Sequence, residues 1–382
     1  MKSLRLIVSN PRYFGPAWAY ASLNILFGTW AIYIPMVKED LNIDKATLGI
    51  ALFFLSFGVF TVFPVASGII NRIGVGKATW VGTVLLCVAA LFPLMSVSFM
   101  TLAIALFFFG LANGFLDISM NTLVTEIEKE DKQNFMSASH GFFSLGGVLA
   151  GLGSFLIVPL GNRMLHMYLA IGLVFIVSLI FHKRYRHIIA APIEKEGFSL
   201  KNFQPLLLLG VVSFVIMGSE GAIVDWSGLF LKEVSLAPEA ILGAGFLGFQ
   251  AMMTLGRFMG DAISARIGSV KIVAFGAGIA IIGYLLVLSA NMYLAIAGFA
   301  LTGLGFSVII PELFRIGGNV KGVESSQGVA FIAGTGYSGF LVGPVILGFL
   351  AEEFSLNTSF MTLLGCVIIV LITTFFLKRN RA

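Results

Sequence analysis

Twelve apolar runs, each long enough to cross a bilayer, recur along this 382-residue chain and leave room for little else. They fall at 14–37, 46–70, 79–97, 99–124, 135–160 and 164–182, then at 204–231, 239–263, 270–290, 293–314, 325–350 and 357–377. A spanning helix needs roughly 20 apolar residues for a hydrocarbon core about 30 Å thick, and every run meets that length. The spacing predicts an all-α membrane protein of twelve transmembrane helices. Composition agrees, because 58 % of residues are hydrophobic and only 11 % charged, whereas a soluble domain carries about 25 % charge. That excludes a soluble enzyme, a disordered scaffold and a nucleic-acid binder. The 44 glycines and 37 phenylalanines suit close helix packing and lipid-facing surface.

The basic residues set the orientation. With the N-terminus inside, 18 of the 24 Lys and Arg side chains lie on the cytoplasmic side. Only Lys38, Lys45, Arg163 and Lys232 lie outside, and Arg257 and Arg315 lie at or within the membrane. Short loops with that bias put both termini in the cytoplasm. The first run is too long, and too poor in small residues at its end, for a cleaved signal, so it is expected to stay as a helix. Cys87 and Cys366 sit in opposite halves, giving no disulfide framework and no metal spacing.

The longest polar connection divides the chain into residues 1–182, a cytoplasmic linker 183–203, and residues 204–382. The halves repeat: Asn71-Arg72-Ile73-Gly74 closes the second helix and Ala265-Arg266-Ile267-Gly268 the eighth, while Gly110-Leu111 returns as Gly303-Leu304. Two pseudo-symmetric six-helix bundles, related by an axis along the membrane normal, are the layout of a transporter that rocks about a central site.

Several motifs resemble the major facilitator superfamily. Gly68-Ile-Ile-Asn71-Arg72-Ile-Gly74-Val-Gly76-Lys77 looks like its short cytoplasmic loop motif, with Asn71 where the family has Asp. More specific matches are similar to a YbjJ-like branch of inner-membrane transporters related to fucose permease. They are Gly114-Phe-Leu-Asp117-Ile-Ser-Met-Asn121, His140-Gly141-Phe-Phe-Ser144-Leu-Gly146-Gly147, Glu220-Gly221-Ala-Ile-Val-Asp225-Trp226-Ser227, Gly256-Arg257-Phe-Met-Gly260-Asp261 and Gly336-Tyr337-Ser-Gly339-Phe-Leu-Val-Gly343-Pro344. The resemblance implies a secondary transporter, proton-coupled, with relatives that suggest sugars. The Gly-Pro-rich fifth-helix motif of drug/proton antiporters is missing between Gly141 and Gly151.

Charges inside spans are costly and mark ion or substrate paths. Asp117 is the first proton-coupling candidate, against a static hydrogen bond joining two helices. Fucose-permease relatives pair such an acid with a first-helix acid, and here that position reads Asn24. Glu220 is the second candidate and His140, at the start of the fifth helix, a proton relay. Asp225, about 140° around the seventh helix from Glu220, is expected to hold that helix's outer end. Arg257 and Asp261, at i, i+4 near the cytoplasmic end of the eighth helix, predict an ion-paired gate, and Glu312 with Arg315 reads similarly. Asn71 and Arg72 belong to the loop latch. Asn24, Asn113, Gln250 and Tyr337, with Tyr20 and Trp30, would line a polar, uncharged substrate's site.

Gly243-Ala-Gly245-Phe-Leu-Gly248 spells a dinucleotide fingerprint, but inside a membrane helix and after no strand. Gly74-Val-Gly76-Lys77 lacks the rest of a P-loop. The reading is therefore a non-enzymatic symporter of an inner membrane, without cofactor or metal, driven by protons and acting as a monomer. Its expected partners are a small-molecule substrate and the lipid bilayer, with no nucleic acid. The alternative is a proton-driven efflux antiporter for amphiphilic compounds or metabolites.

Overall fold

Sixteen α-helices and no strand make up the described residues of the computed structural model, which are 2–133, 135–189, 206–320, 323 and 325–379. In chain order the first nine are α1 (Lys2–Ser9), α2 (Pro11–Ile32), α3 (Ile34–Asp40), α4 (Lys45–Ile73), α5 (Val75–Ala89), α6 (Leu91–Leu94), α7 (Phe99–Asp131), α8 (Met136–Ile157) and α9 (Arg163–Phe181). The remainder are α10 (Leu207–Glu233), α11 (Ala244–Ile267), α12 (Ser269–Val287), α13 (Met292–Phe306), α14 (Ile309–Gly317), α15 (Ser325–Glu353) and α16 (Leu356–Arg379).

Ten of the described helices are long and apolar enough to cross a membrane, and α2 with α3 brings the number to eleven. That pair is bent by 44° at Tyr33. Pro35 follows within two residues, and its missing N–H removes a helical bond where the axis turns. The remaining pass is α11, whose Gln250, Arg257, Asp261 and Arg266 make it polar for its length. Its 24 residues extend about 36 Å at 1.5 Å per residue, enough to span. Counting α11, the helices supply the twelve passes that the apolar runs predict.

Contacts divide the chain into two units. One is Met1–Ile193 with Glu239–Gly243, and the other Glu194–Pro238 with Ala244–Ala382. In the first unit α2 lies along α8 and α9, and α4 and α5 along α7; in the second α10 lies along α15, and α13 along α11 and α12. Residues 190–203 of the expected linker lie outside the described residues. Its first residues pack on the first unit: Tyr185 is buried and the Gly76 amide donates to the Ile188 carbonyl at 3.0 Å.

Large apolar side chains cover much of the outside of the spanning helices. Leu156, Ile180, Phe275 and Leu285 stand exposed on spanning helices, where acyl chains are their solvent. The ends of helices carry polar groups that satisfy the backbone. Asp44 caps α4, accepting the Thr47 amide at 2.6 Å. That bond, with the Thr47 hydroxyl, holds the Asp44 carboxyl below its ordinary value. A depressed folded value means stability that is present above the unfolded pKa and lost as pH falls through the folded one. Asp44→Ala is expected to cost about 0.5–2 kcal/mol at pH 7. In thermal unfolding of the detergent-solubilised protein, the gap between variant and wild type should close as acidification takes the pH below the ordinary carboxylate range; a gap independent of pH would refute the charged cap.

Candidate functional site

In the first unit, a partly buried polar chain runs between α7 and α2. Asp117 and Asn121 are one turn apart on α7, so they share a face. The Asn121 Nδ2 donates to the Asp117 Oδ1 at 3.2 Å and to the Asp117 backbone carbonyl at 2.8 Å. The Tyr20 hydroxyl, on a fully buried residue of α2, donates to the Asn121 Oδ1 at 2.7 Å. Tyr20 thereby fixes which way the amide points, with its NH2 group toward the carboxylate. The same hydroxyl lies 3.1 Å from the Met136 Sδ, and the Tyr20 ring meets the His140 ring edge-on at 5.0 Å, both partners belonging to α8. Asp117 is half-buried and His140 exposed.

Helix packing explains why these groups meet. A Cβ on Gly146 of α8 would fall on the Ala21 carbonyl of α2, so only glycine allows that approach. Asn24 pins the same seam, donating from Nδ2 to the Phe143 carbonyl at 3.0 Å. At the end of the unit, Arg12 holds Asp131 through Nε at 2.7 Å and Nη2 at 3.0 Å, and Glu130 at 2.7 Å. This clamp between α2 and α7 joins residues 119 apart, and nothing in the sequence pattern announces it.

In the second unit the central charge pair is Glu220 of α10 with Arg257 of α11, at 3.5 Å. Arg257 is ten residues from the end of α11, about 15 Å in, deeper than its expected place near the helix end. It faces a carboxylate on a neighbouring helix, a pairing that the i, i+4 spacing to Asp261 does not suggest. The Asp261 side chain lies outside the described residues. Glu312 and Arg315 pair as their spacing predicts, at 2.7 Å, and Arg315 also donates to Ser264 Oγ at 2.9 Å.

Asp225 departs from expectation. It is 9 % exposed, and no hydrogen bond or ion pair reaches it among the described residues. A residue that anchors a helix end needs a partner, and among the described residues this one has none. Asn71 and Arg72 stand exposed at the end of α4, and no ion pair reaches Arg72 among the described residues. The polar candidates divide between the units: Tyr20, Asn24, Trp30 and half-buried Asn113 in the first, Gln250 and half-buried Tyr337 in the second. Three of them hold buried atoms without a hydrogen-bond partner: Asn24 Oδ1, Trp30 Nε1 and Gln250 Oε1.

Charged and amide side chains held at mid-helix in an all-helical, lipid-faced chain are what a multi-pass membrane transporter requires. The chain belongs to the Major Facilitator Superfamily (MFS), whose sequence model matches residues 17–313. It is 30 % identical over 347 residues to an uncharacterised MFS-type transporter of Yersinia pestis, covering 90 % of this chain and 89 % of that one. A glucose/galactose transporter of Brucella abortus is 25 % identical over 379 residues, with 91 % of each chain covered. Among solved structures, the fold matches the crystal structure of the nucleoside transporter NupG with a TM-score of 0.74 at 12 % identity, covering 96 % of this chain and 98 % of that one. A bacterial homologue of the human lysosomal transporter Spinster, in an inward-facing and unoccupied conformation, gives a TM-score of 0.72 at 14 % identity, covering 97 % of each chain.

Proposed function

We propose that this MFS transporter is a proton-coupled symporter, importing a sugar or similar small polar solute by alternating access. The observation that carries the reading is the Asp117–Asn121–Tyr20 chain. A half-buried carboxylate within a span can exchange a proton as its exposure alternates, and the Asn121 amide at one oxygen offsets the charge when the proton leaves. The Asn121 amide meets one carboxylate oxygen, and protonation of the carboxyl does not require the Tyr20–Asn121 bond to break. His140, packed against Tyr20, serves as the relay toward water, and Glu220 is the second titrating group, released from Arg257 when protonated.

The solute class is read from the polar groups that each unit offers. In the first unit Trp30 Nε1 is a donor and Asn24 Oδ1 an acceptor without a hydrogen-bond partner, beside the amide of Asn113 and the hydroxyl of Tyr20; in the second, Gln250 Oε1 is an acceptor without a partner, beside the hydroxyl of Tyr337. Such a mixture suits hydroxyl-bearing, uncharged molecules, and the Brucella relative's name supports sugars. The charge bias of the loops supports an inner membrane with both termini in the cytoplasm.

The test is a solute-dependent pH change in proteoliposomes carrying an internal pH dye. Adding glucose or galactose outside is expected to acidify the interior, while a panel of amino acids leaves it unchanged. Sugar uptake without proton movement would remove the coupling. Proton movement with amino acids alone would remove the substrate class.

A further inference from the structure

The acid of α10 that has no partner among the described residues points to a function of its own. Asp225 lies within a spanning helix and is nine-tenths buried. Helix geometry puts it about 140° around α10 from Glu220, so it does not share the Glu220–Arg257 pair. One turn to either side stand Gly221, Ala222, Gly228 and Leu229, which offer no polar side chain. Gly221 and Gly218, on its own face of the helix, pack against Phe340 and Gly339 of α15.

The neighbouring helices hold few titratable or charged groups, and none of them bonds to Asp225 among the described residues. On α11 these are Arg257, which faces Glu220, Asp261, whose side chain is outside the described residues, and Arg266 in the last turn. On α13 the one such group is Tyr293, at the exposed first turn; on α14, Glu312 and Arg315 pair with each other. On α15 they are Tyr337 and the terminal Glu352 and Glu353, and on α16 Cys366 and the terminal Lys378 and Arg379. On α10 itself, Glu220, Lys232 and Glu233 complete the set.

A charged carboxylate so placed is costly, and no counter-charge reaches it among the described residues. Two ligands would relieve it. A metal ion requires several oxygens around it, and no group of three or more His, Cys, Asp and Glu side chains gathers among the described residues. A proton requires one carboxylate oxygen and nothing else.

We propose that Asp225 is a further proton-binding site, in the second unit, protonated while buried and releasing that proton to water when its face of α10 is hydrated. The step is the reversible gain of one H⁺ from water by the carboxylate, with no other bond made or broken. It rests on the proton-coupled reading and deepens it, because it adds a titrating carboxyl that no cation among the described residues holds in the charged form.

Infrared difference spectroscopy tests this without substrate or gradient. The full chain, labelled with carboxyl-¹³C aspartate, is reconstituted in liposomes and moved from alkaline to acidic buffer. The isotope-shifted C=O band of protonated aspartate is expected to contain an Asp225 component. That component should be lost in Asp225→Asn and in Asp225→Glu, which keeps a carboxyl but carries no label, and should persist in Asp117→Asn. Should Asp225→Asn fail to fold, Asp225→Glu gives the same comparison. An unchanged labelled band in the Asp225 variants would overturn the proposal, as would a band that responds to sodium at constant pH and not to protons. Absence of an Asp117 component alone would strike the coupling reading above and leave Asp225 standing.

Discussion

Gly110→Val and Gly303→Val are each expected to deplete the folded, detergent-extractable protein. A Cβ on Gly110 of α7 would meet the Leu55 carbonyl of α4, and one on Gly303 of α13 would meet the Phe249 carbonyl of α11. Both obstacles are backbone oxygens, which cannot turn aside as a side chain would, so the helices must separate along the whole seam. Overpacking a well-filled site costs about 1–3 kcal/mol. Here even alanine should reach that range and valine exceed it, a large share of a total stability of about 5–15 kcal/mol. Gly172 and Gly365 are the controls, since nothing lies within 4 Å of a Cβ added at either. Melting followed by size-exclusion of solubilised protein should rank Gly172→Ala with wild type and Gly110→Ala and Gly303→Ala clearly below it. Equal melting of all three would mean that the close approach does not limit stability.

Those two glycines also explain how much of the fold is legible in the sequence. They recur 193 residues apart, and their obstacles, Leu55 and Phe249, recur 194 apart. The internal repeat is thus a repeated backbone contact, one in each unit. The other repeated motif has an equally direct cause. Gly74 and Gly268 have φ of 88° and 86°, in the region that L side chains rarely adopt, where each helix turns into the next. Local backbone demands of this kind leave a residue type in the sequence.

Side-chain partners across helices leave no such trace. In water, an apolar stripe tells which face of a helix is buried, but here the lipid face and the core are both apolar, so periodicity assigns neither. That is why spacing matches Arg257 with Asp261 on its own helix and not with Glu220 on the next. For the same reason the sequence presents Asp117 and Tyr20 as separate candidates, and only the structure joins them through Asn121. Asn121 stands in the fourth-helix motif, and its i, i+4 spacing from Asp117 is the available signal.

Asp117→Asn is expected to abolish proton-driven accumulation and to spare solute exchange. Asparagine has nearly the shape of a protonated aspartate and keeps an oxygen for the Asn121 Nδ2, which lies 3.2 Å from it in the native chain. The variant should therefore resemble the loaded, protonated protein while being unable to lose its proton. One proton per solute and a gradient of one pH unit, about 1.4 kcal/mol, support roughly tenfold accumulation; the variant should fall to simple equilibration. Counterflow of labelled sugar across proteoliposomes at equal pH should continue, because exchange requires only the protonated form. Tyr20→Phe is a graded companion: it removes the donor to Asn121 Oδ1, frees the amide to turn, and should shift the pH profile of uptake while leaving exchange in place. If Asp117→Asn accumulates sugar as wild type does, the carboxyl of α7 does not carry the proton. If it loses accumulation and counterflow together while remaining folded, Asp117 belongs to the solute's own contacts.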